Sequence, residues 1–196
     1  MKAVIAFFFL SSPIFAQDYV CKMTHIKRQW TDEQGNKMSE QQQWSGVAIS
    51  DGLILSVAHS ITEGEATAEF PGQTIKAEVV KYDEARDLAL FKAKEPIKAV
   101  PVKVAQRHPV MAKVVGFAMG QRKVVSYPVS QASAWVIKDE PLLVMDGLAH
   151  HGMSGGAVLN EDGELAGIQS SGDFKERRVM ASSLSQVRAF LRGVLR

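Results

Sequence analysis

From about residue 44 onward the chain is a succession of short apolar or alternating stretches, each closed by Gly, Asp, Asn or Pro. That rhythm excludes most architectures, because an amphipathic helix needs ten or more uninterrupted residues at 3.6-residue spacing. The clearest unit is WSGVAIS-DG-LILSVAH, two apolar segments around Asp51-Gly52, a pair that favours a two-residue type I′ hairpin. Further strands are expected at Thr67–Phe70, Thr74–Lys81, Leu88–Ala93, Ala112–Phe117, Lys123–Val129, Leu142–Met145, Gly156–Leu159, Leu165–Gln169 and Val179–Ala181. Short strands so closely spaced predict an all-β barrel or sandwich.

The two ends break the pattern. SSLSQVRAFLRGVLR places Leu184, Val187, Phe190, Leu191 and Val194 at helical spacing behind serines suited to an N-cap, so a packing helix is expected over residues 183–195. Its Arg188, Arg192 and Arg196 follow a four-residue step and read as a solvated face. At the other end, MKAVIAFFFLSSPIFAQD has one lysine, an apolar run from Ala3 to Leu10 and a small residue at Ala16. It reads as a secretory signal peptide over residues 1–16, with an uncleaved anchor as the alternative because Ile14 is bulky for a cleavage site.

Export favours disulfides, yet Cys21 is the only cysteine, so the fold must stand on packing alone. Lys+Arg 23 against Asp+Glu 21 leaves a formal charge of +2, no electrostatic reason to expect nucleic acid or anionic lipid as a partner. The doublet His150-His151 lacks a spaced third ligand, so no metal or other cofactor is expected. Trp30, Trp44 and Trp135 are scattered and read as core or hairpin packing.

Near the C-terminus stands HHGMSGGAVLNEDGELAGI, in which Ser154 lies among glycines. GMSGG fits the G-x-S-x-G nucleophile elbow, but an elbow requires a helix directly after the serine and a histidine later in the chain. Here a second hairpin follows, and His25, His59, His108, His150 and His151 all precede Ser154. His59 ends an apolar strand, where a polar side chain can face a cleft from a rigid backbone. Asp87 directly precedes the strand Leu88–Phe91. Taken singly, each has an ordinary reading, a structural histidine and a turn aspartate beside Arg86. Taken together they fall in the order His, Asp, Ser.

In SGVAISDGLILSVAHS, ARDLALFK and GMSGGAVLNEDGELAGI the sequence resembles the trypsin-like serine peptidases of the chymotrypsin fold, in their compact bacterial, HtrA-like form, over about residues 40–195. The resemblance implies two six-stranded antiparallel β-barrels, roughly 17–105 and 106–182, with a C-terminal helix and no peptide-binding module after it. It implies an exported serine endopeptidase, secreted or periplasmic, acting on protein or peptide substrates. His59 is then the general base, Asp87 its orienting acid and Ser154 the nucleophile, with the N–H groups of Gly152 and Ser154 as oxyanion donors. A catalytically silent relative that binds peptides in the same cleft is the alternative.

The same resemblance walls the primary substrate pocket with Leu148–His151 and Gln169–Gly172, and puts Leu148 at its base, where no acid selects Lys or Arg. Gln169 and His151 either hydrogen-bond a polar substrate side chain or face solvent; Ser170 braces Asp87; Gly172 completes the wall. Met153 stands where digestive members carry an aspartate that receives a freed N-terminus, so activation by that route is not expected.

Overall fold

The computed structural model describes residues 18–61, 64–129, 136–137 and 140–194. The expected leader and Trp135 lie outside those residues. Strands β1 (Val20–Thr31), β2 (Lys37–Ala48), β3 (Leu53–Ser56), β4 (Ala66–Phe70), β5 (Gln73–Asp83) and β6 (Leu88–Ala93) close into a barrel in the order β1-β2-β3-β6-β5-β4. Closure leaves this lobe without a free sheet edge over its paired length.

The second lobe uses β7 (Met111–Ala118), β8 (Gln121–Pro128), β9 (Val136–Ile137), β10 (Glu140–Asp146), β11 (Ala157–Leu159), β12 (Leu165–Asp173) and β13 (Arg178–Ser182). They form one sheet in the order β8-β7-β11-β12-β13-β10-β9, curled so that an isolated bridge between Val129 and Met145 brings its two sides together. The two-lobed all-β, chymotrypsin-like architecture expected from the sequence is therefore the one adopted: a closed six-stranded barrel and a six-stranded half-barrel, with two-residue β9 appended at its edge.

One apolar core runs through the first barrel and on into its neighbour. Val47, Ile54, Leu55 and Phe91 from the first lobe belong to the same cluster as Val115, Leu159 and Ile168 from the second. A separate cluster, including Val114, Met145, Met153 and Val179, fills the second lobe. Trp44 is part of the first core and lies 6.4 Å from the Phe91 ring. Cys21 is wholly buried there, and burial pushes its thiol pKa up.

The helix α1 (Leu184–Leu191) begins as its sequence predicts. Ser183 is the N-cap, and its side chain and that of Gln186 satisfy each other's backbone N–H groups in a capping box, an arrangement whose loss costs about 1 kcal/mol. Val187, Phe190 and Leu191 pack on the first core. Arg188 is not merely solvated, since its guanidinium donates to the Ala105 carbonyl at 2.6 Å and to Gln106 Oε1 at 3.0 Å. That contact fastens the helix to the segment joining the lobes. Among the described residues, no helix is long and apolar enough to cross a membrane.

One local expectation fails, and β1 with the outer part of β2 went unread, for identifiable reasons. Neither Asp51 nor Gly52 has the positive φ that a type I′ turn demands. The hairpin instead closes through Ile49 N–H to Leu53 O, which frees the carbonyls of Asp51 and Gly52 to accept from Ile97 and Ala93. The turn thus doubles as the mooring for the chain leaving β6.

The strand β1 and the outer part of β2 carry no apolar alternation in the sequence, because beyond Ile26 and before Gln42 the ribbon stands in solvent on both faces. Its polar residues make ladder pairs rather than a core, and Arg28 lies over the Trp30 ring at 5.7 Å.

Candidate active site

His59 leaves the end of β3 at the mouth of the barrel, and Asp87 closes the turn that opens β6, the strand paired with β3. Pairing of those strands brings the two residues together across 28 positions of sequence. Asp87 Oδ1 accepts from the His59 main-chain N–H at 2.9 Å, and Oδ2 lies 2.8 Å from His59 Nδ1. Asp87 itself adopts a φ of 51°, a left-handed backbone that aspartate tolerates better than most residues. The turn is held from the opposite lobe, where Ser182 Oγ donates to Arg86 O at 2.7 Å.

These contacts set the charges. Burial pushes the Asp87 carboxyl upward, but the hydrogen bonds from His59 and Ser170 outweigh it and hold the pKa below the ordinary carboxylate value. His59 moves the other way: its bond to Asp87 favours the imidazolium, more than burial disfavours it, so its pKa is raised. A neutral His59 that donates Nδ1–H to Asp87 carries its lone pair on Nε2.

Ser154 sits in the bend between Gly152 and Gly155, whose φ values are 88° and 83°. A side chain at Gly152 would place Cβ 2.5 Å from Phe117 O, and one at Gly155 would place it 2.0 Å from Ser45 O. The bend therefore requires glycine at both positions. Ser154 Oγ donates to the carbonyl of Ser170 at 2.9 Å, and no hydrogen bond joins it to His59 among the described contacts. Ser170 is the common element, because its own hydroxyl donates to Asp87 Oδ2. All three candidate residues thus lie in one hydrogen-bonded cluster at the junction of the lobes.

The residue between them, Met153, is completely buried in the core of the second lobe. Its thioether side chain anchors the bend by packing at the position where a charged group was considered above. Sequence reasoning singled out Met153 only for the charge it lacks; its apolar role was visible in the residue type but not in any periodicity. Ser182, which braces the Asp87 turn, left no signal at all.

The two segments expected from the sequence as pocket walls touch each other at one point. Ala149 and Gly172 press together so closely that a Cβ on Gly172 would lie 2.1 Å from that of Ala149. No slot separates Leu148–His151 from Gly172 at that point. Leu148 is 44% exposed rather than enclosed at a pocket base, and the Tyr127 hydroxyl holds its carbonyl at 2.7 Å. Gln169 does not face solvent; it is buried, and its Oε1 has no hydrogen-bond partner among the described residues. The Ser170 hydroxyl donates to Asp87 Oδ2.

His151 is exposed and stacks on Phe174, with ring centroids 5.3 Å apart. It lines an open groove with Met119, Arg122, Lys123, His150 and Phe174, on the flank of the Ser154 bend. Lys123 Nζ lies 3.4 Å from His150 Nδ1. Burial first and the Lys123 charge second lower the His150 pKa.

The sequence pattern of the trypsin-like peptidase domain matches residues 44–168, which spans His59, Asp87 and Ser154. The chain belongs to the trypsin-like peptidase family. Serine protease HTRA1 of Xenopus laevis and that of Xenopus tropicalis are each 29% identical to this trypsin-like peptidase over 140 residues, covering 64% of the chain. The chain spans about 30% of the length of those relatives.

Solved structures share its fold. The serine endoprotease of Yersinia pestis matches with a TM-score of 0.74 at 22% identity, covering 92% of this chain and 64% of that one. The active form of the Rv3671c protease of M. tuberculosis gives 0.70 at 16%, covering 90% and 81%. An inactive form of a serine-to-alanine mutant of the same protein gives 0.73 at 14%, covering 99% and 96%.

Proposed function

We propose that this trypsin-like peptidase is an exported serine endopeptidase in which Ser154, His59 and Asp87 act as nucleophile, base and orienting acid. The observation that carries the reading is the paired contact of Asp87 with His59, at 2.8 Å to Nδ1 and 2.9 Å to the main-chain N–H, within the hydrogen-bonded cluster that also holds Ser154. It leaves Nε2 as the free, basic nitrogen.

In the proposed reaction the Ser154 hydroxyl turns from the Ser170 carbonyl toward His59. As Oγ bonds to the substrate carbonyl carbon, its proton passes to Nε2, and the carbonyl oxygen becomes an oxyanion facing the N–H groups of Gly152 and Ser154. Collapse breaks the C–N bond, the leaving amine takes the proton from His59, and an acyl-Ser154 ester remains. A water then gives a proton to Nε2 as its oxygen bonds to the acyl carbon; the C–Oγ bond breaks, Oγ takes the proton back from Nε2, and the carboxylic acid product leaves. Asp87 keeps its negative charge throughout and stabilises the imidazolium.

A fluorophosphonate probe tests this directly: it should attach to Ser154 in the purified chain and to neither Ser154→Ala nor His59→Ala. A folded chain that never reacts between pH 6 and 9 would favour the second reading, a silent peptide-binding relative. One observation speaks for that alternative, the Ser154 hydroxyl turned to Ser170 rather than to His59. Export rests on the leader at residues 1–16 and predicts a mature N-terminus at Gln17, readable by N-terminal sequencing of protein recovered outside the cytoplasm.

A further inference from the structure

Ser45 lies in β2 of the first barrel, fully buried, yet its polar atoms serve the other lobe. Its hydroxyl donates to Gly152 O at 2.9 Å and accepts from Phe117 N–H at 2.8 Å. Its main-chain N–H donates to Ser154 O at 2.7 Å, and its carbonyl accepts from Ser56 Oγ at 2.6 Å. One residue therefore takes two carbonyls from the bend that carries the candidate nucleophile.

The remaining carbonyls of the bend are held as well. His151 O accepts from Met119 N–H at 3.0 Å, at the tip of the β7–β8 hairpin, and Met153 O accepts from Gly156 N–H at 2.8 Å. All four carbonyls from His151 to Ser154 are thus fixed, while the N–H groups of Gly152 and Ser154 donate to no protein acceptor among the described hydrogen bonds. In a trans peptide the N–H points away from the C=O of the same plane. The Gly152 N–H thus shares its plane with His151 O, held by Met119, and the Ser154 N–H shares its plane with Met153 O, held by Gly156; Ser45 fixes the adjoining planes through Gly152 O and Ser154 O, so the Ser154 donor is bracketed on both sides while neither N–H is occupied.

We propose that Ser45 is a positioning residue that holds the oxyanion donors of the second lobe from within the first, so that the site is complete only when the lobes are docked through it. The inference rests on the reading of Ser154 as a nucleophile, and it extends that reading to a residue that touches neither substrate nor the reacting atoms. A donor misdirected by loss of the Ser45 hydroxyl raises the transition state without weakening ground-state binding, since the oxyanion exists only in the former.

The test compares Ser45→Ala with Ser183→Ala, which removes the remote N-cap of α1 and serves as a control for lost stability. For Ser45→Ala, kcat on a fluorogenic peptide should fall by about 10²-fold while KM stays within about two-fold. Affinity for a peptide aldehyde should fall in step with kcat/KM. Amide exchange at Met153 and Gly156 should accelerate at least about tenfold over wild type, whereas Ser183→Ala should leave kcat and both amides unchanged.

Ser45→Cys fills the same space with a weak donor and should fall between wild type and Ser45→Ala, which keeps the test available if the alanine variant does not fold. Unchanged kcat and unchanged exchange in Ser45→Ala would overturn the proposal, as would an equal kcat loss in Ser183→Ala. A wild-type chain with no turnover and no probe labelling sinks the peptidase reading instead; the exchange rates still decide whether Ser45 holds the bend.

Discussion

The Ser154 hydroxyl donates to the main-chain carbonyl of Ser170, whose own hydroxyl donates to Asp87, so a single residue of β12 binds the candidate nucleophile at one end and the candidate acid at the other. To act as nucleophile, Ser154 has to turn its hydroxyl away from Ser170, and rotation about a staggered serine torsion is fast compared with turnover. If Ser154 and His59 act as a unit, Ser154→Ala and His59→Ala should each lower kcat by about 10⁶-fold, and the double variant should be hardly worse. Additive losses in steady-state assays would show that the two act independently.

The raised pKa of His59 fixes the sign of the acid limb. The base works only when neutral, so kcat/KM should climb with pH through a pKa above the ordinary histidine value, because Asp87 favours the protonated ring. Asp87→Asn removes that charge: the limb should move to lower pH, and kcat should fall by about 10⁴-fold as the ring loses its tautomer. A limb that stays in place would mean that another group controls it.

Asp83 provides the neighbouring carboxylate against which Asp87 is judged. It accepts from the Arg86 main-chain N–H at 3.1 Å and from its guanidinium at 2.5 Å, and has no bond to His59. Asp83→Ala should leave turnover within about two-fold and cost at most about 1 kcal/mol, as befits a partly exposed ion pair. Loss of turnover in Asp83→Ala with a working Asp87→Ala would reverse the assignment.

Met153 joins stability to the shape of the bend. Met153→Ala should destabilise the chain by about 2–5 kcal/mol in chemical denaturation, because the cavity opens in a close-packed core. Met153→Asp should be worse, since it would bury a carboxylate in an apolar cluster. An aspartate variant of wild-type stability would mean that the bend finds an ionic anchor the structure does not reveal.

The groove beside His151 is lined by Lys123, by two histidines and by Arg122, which pairs with Asp18 at 3.8 Å, and by no carboxylate among the described residues. A substrate with an acidic residue near the scissile bond should therefore be preferred, with KM rising as salt screens the contact. Lys123→Glu should raise KM for an acidic peptide and leave that for its amide counterpart unchanged, measured on matched fluorogenic pairs. Equal KM values for both peptides in wild type would remove the groove from substrate selection.

The fold class was legible because punctuation and periodicity are local, and the helix announced itself by its leading serines and the helical spacing of its apolar residues. His59, Asp87 and Ser154 were legible as a set through their order and surroundings, not through any single residue. What escaped was whatever depends on two distant segments at once. The outer ribbon of β1 and β2 has no buried face to imprint alternation. The contact of Ala149 with Gly172 joins two segments that the chain keeps far apart, and Ser45 reads as one more small residue in a strand until the bend of the other lobe is laid against it.

Cys21 lies sealed beneath the first barrel, with no exposed surface and a thiol that resists ionisation. It is consequently a ready-made tell-tale: an alkylating reagent finds no handle on the intact molecule and one handle on any copy whose first barrel has come apart. The pace of labelling in native buffer reads out how often that barrel opens, with no dye or tag added.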